Sequence, residues 1–298
     1  MHYIVLGGGT SSEKEVSQRS AASVQKALED LGHTVAYLDP ATTPTPEIIA
    51  QAKQSAGVLP ILHGAGGEDG SIQAELEREN IPYFGPSAQS CRGTFDKARF
   101  KEILEQYELP TPKWNVITAD DLDHEPLARE PFVLKPTSGG SSIDTFIIRD
   151  QTFDSAPLQK ALAKHGKMLI EELIDGPEIT VGILEDTALP VIEIIPPHDE
   201  EFDYENKYNG ATQELCPPVN VSTELQEQAQ QLALEAHRTT QCRHLSRTDI
   251  MIDKDGNLFI IDTNTIPGLT DQSLFPKAAE KAGYSWAPLV DEFTKLIE

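Results

Sequence analysis

The most chemically loaded stretch of this sequence lies near its C-terminal end, in Arg247-x-Asp249 and Asp262-x-Asn264. The apolar runs Ile250-Met251-Ile252 and Leu258-Phe259-Ile260-Ile261 flank the turn Asp253-Lys254-Asp255-Gly256 and predict a hairpin. Asp249 is placed at the start of one strand, and Asp262 and Asn264 at the end of its partner, where antiparallel pairing brings side chains together. Two carboxylates and an amide oxygen suit Mg²⁺, a hard cation that takes only a few protein ligands. Arg247, two residues before Asp249, projects from the same strand face. There it would meet anionic oxygen developing beside a metal. The competing reading is a solvated surface hairpin. The apolar residues on both faces favour a buried one, whose acids need partners.

Three further segments could hold anions. Lys135 ends an apolar strand and faces Thr137-Ser138-Gly139-Gly140-Ser141-Ser142, whose amides and hydroxyls could cradle phosphate beside the lysine charge. It is not a Walker loop, and a plain hairpin tip is the alternative. His63-Gly64-Ala65-Gly66-Gly67-Glu68-Asp69-Gly70 follows an apolar strand, the end at which open α/β sheets bind ligands. Gly7-x-Gly9-x-x-Ser12, with Asp39 ending the next strand, weakly suggests a nicotinamide dinucleotide fingerprint, but the third glycine is missing. Ser12-x-x-Glu15 reads as a helix capping box, which explains both residues without a ligand.

The elements that must position these residues alternate. Strands at 3–6, 35–38 and 57–62, with a helix after Ser12 carrying Val16, Val24 and Leu28, predict an N-terminal Rossmann-like parallel sheet ending near residue 92. Beyond it, a helix at 99–107, strands at 132–135, 143–148 and 168–171, a strand pair at 179–184 and 191–195, an amphipathic helix at 223–239 and a helical tail at 275–297 give an α/β chain, α+β overall. Residues 196–217 lack a clear period, as a binding loop would.

At 298 residues the chain is long enough for about two domains. Its net charge of −24 excludes binding nucleic acid by general phosphate attraction and requires any phosphate site to be built locally. Three separated cysteines, with no CxxC pair, argue against a zinc site or disulfide framework and for a reducing compartment. No stretch reads as a signal peptide or a membrane span, so a cytoplasmic location is expected.

The quoted residues also carry a resemblance. His63-Gly64-x-Gly66-Gly67-Glu68-Asp69-Gly70, Asp96-Lys97, Lys135-Pro136, Gly140-Ser141-Ser142, Glu171 through Gly176-x-Glu178, Lys207-Tyr208, Arg247-x-Asp249 and Asn264-Thr265-x-Pro267-Gly268 stand in the order and approximate spacing of D-alanine–D-alanine ligases. The chain resembles that family along nearly its whole length. The resemblance implies a two-part ATP-grasp fold after the first unit, with divisions 1–92, 93–177 and 178–298. It implies ATP and two Mg²⁺ ions as cofactors, with Mn²⁺ as a substitute, D-alanine as substrate, a homodimer as the assembly, and a role in peptidoglycan precursor synthesis. By that likeness Lys97, Lys135, Ser141, Ser142, Glu171, Glu178 and Lys207 would hold ATP. Asp249, Asp262 and Asn264 would hold the metals. Glu15 would pair with the first ammonium group, overriding its capping role, and His63 would belong to the substrate site. Lys207 and Ser273 would hold the second carboxylate, Arg247 and the Gly268 amide would receive the oxyanion, and Tyr208 would link Ser141 and Glu15 beneath a lid at 202–217. Tyr208 after Lys207 points to the dipeptide-forming type.

Two positions depart from the family. Asp262 replaces a glutamate and is one methylene shorter, so bridging two metals would need a backbone shift, or one metal would bind more weakly. Asp144 replaces a glycine and is expected to point outward, since an inward carboxylate would repel ATP. The rivals are another ATP-grasp carboxylate–amine ligase, a weakly active or silent ATP-binding paralogue and, remotely, a nicotinamide oxidoreductase.

Overall fold

The computed structural model describes residues 1–150, 152–197, 212–270 and 272–297. Strands β1 (His2–Leu6), β2 (Thr34–Leu38) and β3 (Gly57–Pro60) form a parallel sheet in the order β2-β1-β3. Tyr3, Ile4, Val5 and Leu6 are all buried, as expected of a central parallel strand covered on both faces. Helix α1 (Lys14–Asp30) crosses between β1 and β2 and buries Ala21, Val24, Ala27 and Leu28 along one stripe. Helices α2 (Thr45–Ala52), α3 (Ser71–Arg78) and α4 (Ala88–Phe95) complete this part.

Helix α5 (Lys97–Gln106) starts where the Asp96 carboxylate accepts from the amides of Ala98 and Arg99. It leads into an antiparallel sheet in the order β4-β7-β5-β6, from β4 (Trp114–Ile117), β5 (Phe132–Pro136), β6 (Phe146–Ile148) and β7 (Met168–Glu172), with α6 (Ala156–His165) between β6 and β7. A third sheet, antiparallel throughout, runs β11-β10-β8-β12-β13, with β9 on β8. Its strands are β8 (Glu178–Leu184), β9 (Thr187–Ala188), β10 (Ile192–Ile195), β11 (Gln213–Leu215), β12 (Leu245–Ile252) and β13 (Leu258–Asn264). Helix α7 (Thr223–Thr239), capped by Ser222, covers its apolar face with Ala229, Leu232, Ala233 and Ala236.

The expected helical tail is two helices, α8 (Leu274–Lys281) and α9 (Trp286–Lys295), separated near Gly283, whose φ of 99° is open to glycine. Val290 and Phe293 of α9 join Val24 and Leu28 in one core, so the end of the chain packs onto its beginning. No helix among the described residues is long and apolar enough to cross a membrane.

Three local expectations change. Ser12 and Glu15 form no capping box: Glu13 is the N-cap residue and makes no side-chain cap, while Ser11 accepts from its amide. The strand expected from Ile143 is only Phe146–Ile148, because Ser141, Ser142 and Asp144 adopt positive φ. The C-terminal hairpin is not buried on both faces. In β12 Ser246, Thr248, Ile250 and Ile252 are buried while Arg247, Asp249 and Met251 are partly open, and the strand starts at Leu245, well before Asp249. That alternation leaves one face free to line a site.

Candidate active site

A cleft of about 1570 Å³ runs between the second and third sheets, with loops of the N-terminal part at one end. It exceeds the roughly 300–1,000 Å³ typical of small-ligand pockets and has room for more than one substrate.

The open face of β12 and β13 supplies its acidic wall. Asp249 pairs in register with Asp262, and Arg247 with Asn264. A register shift after Asp249, pairing Ile250 with Ile260, inserts one extra residue in β13 and turns both Ile261 and Asp262 to the cleft. Arg247 Nε and Nη2 donate to the two Asp249 oxygens at 2.9 and 2.8 Å, a bidentate pair. Thr180 Oγ1 donates to Asp249 Oδ1 at 2.6 Å, and Asn264 Nδ2 to Oδ2 at 3.2 Å. Lys97 Nζ stands 3.8 Å from Asp262 Oδ2. Two carboxylates and an amide on one cleft wall fit a divalent cation by donor chemistry. Among the described residues no group of three or more His, Cys, Asp or Glu side chains is arranged to hold a metal.

The opposite wall is cationic. Glu171 on β7 is buried between Lys135 of β5 and Lys101 of α5, with Lys101 Nζ 2.6 Å from its Oε2. The Lys101 ammonium also donates to Thr111 Oγ1 at 2.7 Å. Burial opposes ionisation of Glu171, but Lys135 and Lys101 outweigh it and hold the carboxyl below its usual range. Burial also pulls the Lys101 ammonium down, against the pull of Glu171. Glu171 is therefore a clamp for the lysines, and its carboxylate is engaged before any ligand arrives. Lys97 Nζ donates to the Gly139 carbonyl at 2.6 Å and its amide to Thr137 O at 2.7 Å, which fastens the start of α5 to the loop after Lys135. Ser141 and Ser142 line the cleft beside Gly139 and Gly140. Glu178 opens β8 at the cleft edge, opposite Met251.

At the N-terminal end the carboxylate in the cleft is Glu13, not Glu15. Glu15 is exposed on α1 and lines no part of the cavity, whereas Glu13 does. The helix begins at Lys14, so Glu13 precedes its first turn and can turn inward, while Glu15 falls on the solvent side. Ser141 Oγ donates to Glu13 Oε1 at 2.6 Å. A Cβ at either Gly64 or Gly140 would stand 2.9 Å from Glu13 Oε2, so both loops leave room for this side chain. His63 is buried beside it, 3.1 Å from Ser20 Oγ through Nε2. Burial lowers the His63 pKa, against the nearby Glu13 charge, and favours the neutral ring. Glu68 accepts the Gly64 amide at 2.6 Å. It keeps some surface, yet its packing and then the Glu13 carboxylate raise its pKa to about 8.

Gly268 and Ser273 face the cleft together. A Cβ at Gly268 would come 2.7 Å from Ser273 Oγ, which accepts the Thr270 amide at 3.1 Å. Asp144 turns to α6, where its Oδ2 meets Lys164 Nζ at 2.6 Å and His165 Nε2 at 2.7 Å. Lys207 and Tyr208 lie outside the described residues, as does most of the segment expected to be a lid. Sequence reading missed Glu13, Glu68, Lys101 and Thr180 as members of the site. Lys101 carried a signal, being one helical turn beyond Lys97.

A lysine-lined cleft between two antiparallel sheets, covered by a glycine–serine loop and walled by paired acids, defines an ATP-grasp protein. A family model described as D-ala D-ala ligase C-terminus matches residues 103–295. Over 306 residues the chain is 38% identical to the D-alanine–D-alanine ligase of Maridesulfovibrio salexigens, covering 100% of this chain and 98% of that one. It is 39% identical over 295 residues to the ligase of Azorhizobium caulinodans, covering 97% and 95%. The chain belongs to the D-alanine–D-alanine ligase family. A crystal structure of the Bacillus anthracis ligase superposes with TM-score 0.86 at 33% identity, over 99% of this chain and 97% of that one. The same enzyme complexed with ATP superposes with TM-score 0.84 at 31% identity, with the same coverage.

Proposed function

We propose that this protein joins two D-alanines to D-alanyl-D-alanine at the expense of ATP, through a D-alanyl phosphate, for peptidoglycan synthesis. The observation that carries this reading is the meeting, in one cleft, of the Lys97 and Lys135 cations, the Glu13–Ser141 pair and the Arg247–Asp249–Asp262–Asn264 wall. Full-length relatives named D-alanine–D-alanine ligase, one of them solved with ATP, support it.

Bringing a carboxylate to the terminal phosphate of ATP sets two anions against each other in a chain that is already strongly acidic. Lys97 and Lys135 supply the compensating charge, and Glu171 fixes where the Lys135 ammonium sits. The 139–142 loop offers backbone amides and the Ser141 and Ser142 hydroxyls to phosphate oxygens. Glu178, which lines the cleft edge, is assigned to the ribose. Asp249, Asp262 and Asn264 would hold Mg²⁺, which when bound supplies charge neutralisation at the phosphates. Asp262, brought across from Asp249 by the β13 bulge, faces the cleft despite its short side chain.

Glu13 is the carboxylate that receives the first substrate's ammonium group, with neutral His63 beside it. Attack by the second amine on the acyl phosphate builds a tetrahedral oxyanion, for which the Arg247 guanidinium and the Gly268 amide are the donors in reach of the acidic wall. Ser273, beside Gly268, and Lys207 are assigned to the second carboxylate, and Tyr208 to closing the site. We assign 1–92, 93–177 and 178–298 as the three functional parts, and a homodimer as the assembly. Mass spectrometry of a reaction with ATP, Mg²⁺ and D-alanine should show D-alanyl-D-alanine and ADP in equal amounts; ADP without dipeptide would reject the ligation step.

A further inference from the structure

The loop between β5 and β6 holds three non-glycine residues in the left-handed region: Ser141 at φ 55°, Ser142 at 56° and Asp144 at 54°. Each costs of order 1 kcal/mol or more, and such a run persists only where its surroundings hold it. Three side-chain ties do so. Lys97 Nζ donates to the Gly139 carbonyl, Ser141 Oγ to Glu13, and Lys164 Nζ and His165 Nε2 both meet Asp144 Oδ2. The first two ties use residues already assigned to the reaction. The third uses none of them.

Lys164 and His165 are the last two residues of α6. A carboxylate alone would be disfavoured at that helix C-terminus, so the two basic groups are what make the contact favourable. Asp144 is only 27% exposed at the side chain, although it sits on a loop. Its hydrogen bonds to Lys164 and then His165 hold its carboxyl below the usual range, in line with a carboxylate engaged in the fold.

We propose that Asp144 is a positioning residue: gripped by Lys164 and His165, it fixes residues 139–145 over the cleft before nucleotide arrives. The proposal rests on the reading of this loop as the phosphate cover. The device lowers the ordering cost of nucleotide binding, because the loop is folded in advance. Asp144, Lys164 and His165 border the same cleft, but the carboxylate is engaged by the end of α6, so its part is to hold the loop and not to join the chemical step.

The test compares the wild-type chain with Asp144→Asn, Lys164→Met and the double variant. Asparagine tolerates positive φ, so the first change removes charge without adding backbone strain. Deuterium uptake by residues 139–145, measured without ligand, should be faster in all three variants. The Kd for ATP, from titration with a fluorescent analogue, should rise about fivefold in Asp144→Asn, the upper range for a partly exposed ion pair, and less in Lys164→Met, which keeps His165 on the carboxylate. The double variant should be no weaker than Asp144→Asn, because Lys164 acts on the loop only through that carboxylate. The rate at saturating ATP should change less than the Kd. Unchanged uptake would overturn the tie, and faster uptake with unchanged Kd would overturn its role toward nucleotide. Neither readout needs turnover, so absence of ligation would reject the proposed reaction without touching this one.

Discussion

Ser141 and Glu13, 128 residues apart in sequence, are joined by a 2.6 Å hydrogen bond that ties the loop of the second sheet to the start of α1. The bond places a carboxylate from the first part of the chain against the loop that faces the lysines and acids of the other two. The positions of Gly64 and Gly140 against the same carboxylate make it a built contact.

Glu13→Gln should lower kcat/KM for D-alanine at least about tenfold, the scale of a lost charge-assisted hydrogen bond. Glu15→Gln should stay within about twofold, as expected for an exposed helix residue. Steady-state kinetics of both variants check this. The reverse ranking would return the role to Glu15.

Glu171→Gln should be costly to stability. It leaves Lys101 and Lys135 buried beside a neutral amide, and breaking a buried pair from one side typically costs about 3–5 kcal/mol. Denaturant unfolding at pH 7 is the measurement. The depressed Glu171 carboxyl contributes stability that is present above its unfolded value and lost as pH falls, so the gap between wild type and variant should narrow in acid.

Glu68 works in the opposite sense. Its carboxyl is raised from an ordinary 4.5 to about 8, so across that window the folded protein holds a proton that the unfolded chain releases. Stability therefore falls as pH rises from about 5 to 8. Glu68→Gln removes this uptake and should flatten the dependence over that interval. Parallel unfolding curves for variant and wild type would show that Glu68 titrates normally.

The sequence was informative where one short segment decides the structure. The 223–239 helix has the bounds its apolar period predicted, because a Ser222 cap and a continuous stripe act locally. The strand–loop–strand around Gly139 and Gly140 was legible for the same reason, as was the Asp249–Asp262–Asn264 grouping, which a hairpin brings together. Glu13 was hidden because Ser12 and Glu15 mimic a capping box, while its true partner lies on a distant loop. The hairpin looked buried on both faces because its open face carries apolar residues, Met251 and Ile261, that line a cleft. The bulge that turns Asp262 inward left no mark in the local pattern.

Asp249→Ala should cut turnover a hundredfold or more, as loss of a group that stabilises developing charge does, while circular dichroism shows an intact fold. The variant also strips Arg247 of its bidentate partner, so a modest fall in Tm accompanies it. Normal turnover would place the metal elsewhere.

The most direct test of the whole account is phosphate release from ATP by the purified protein, with single D- and L-amino acids and with or without Mg²⁺. The arrangement of Glu13, the two lysines and the Asp249–Asp262–Asn264 wall predicts release that needs both D-alanine and Mg²⁺. Release with L-amino acids alone, or release that persists when Mg²⁺ is chelated, would contradict it.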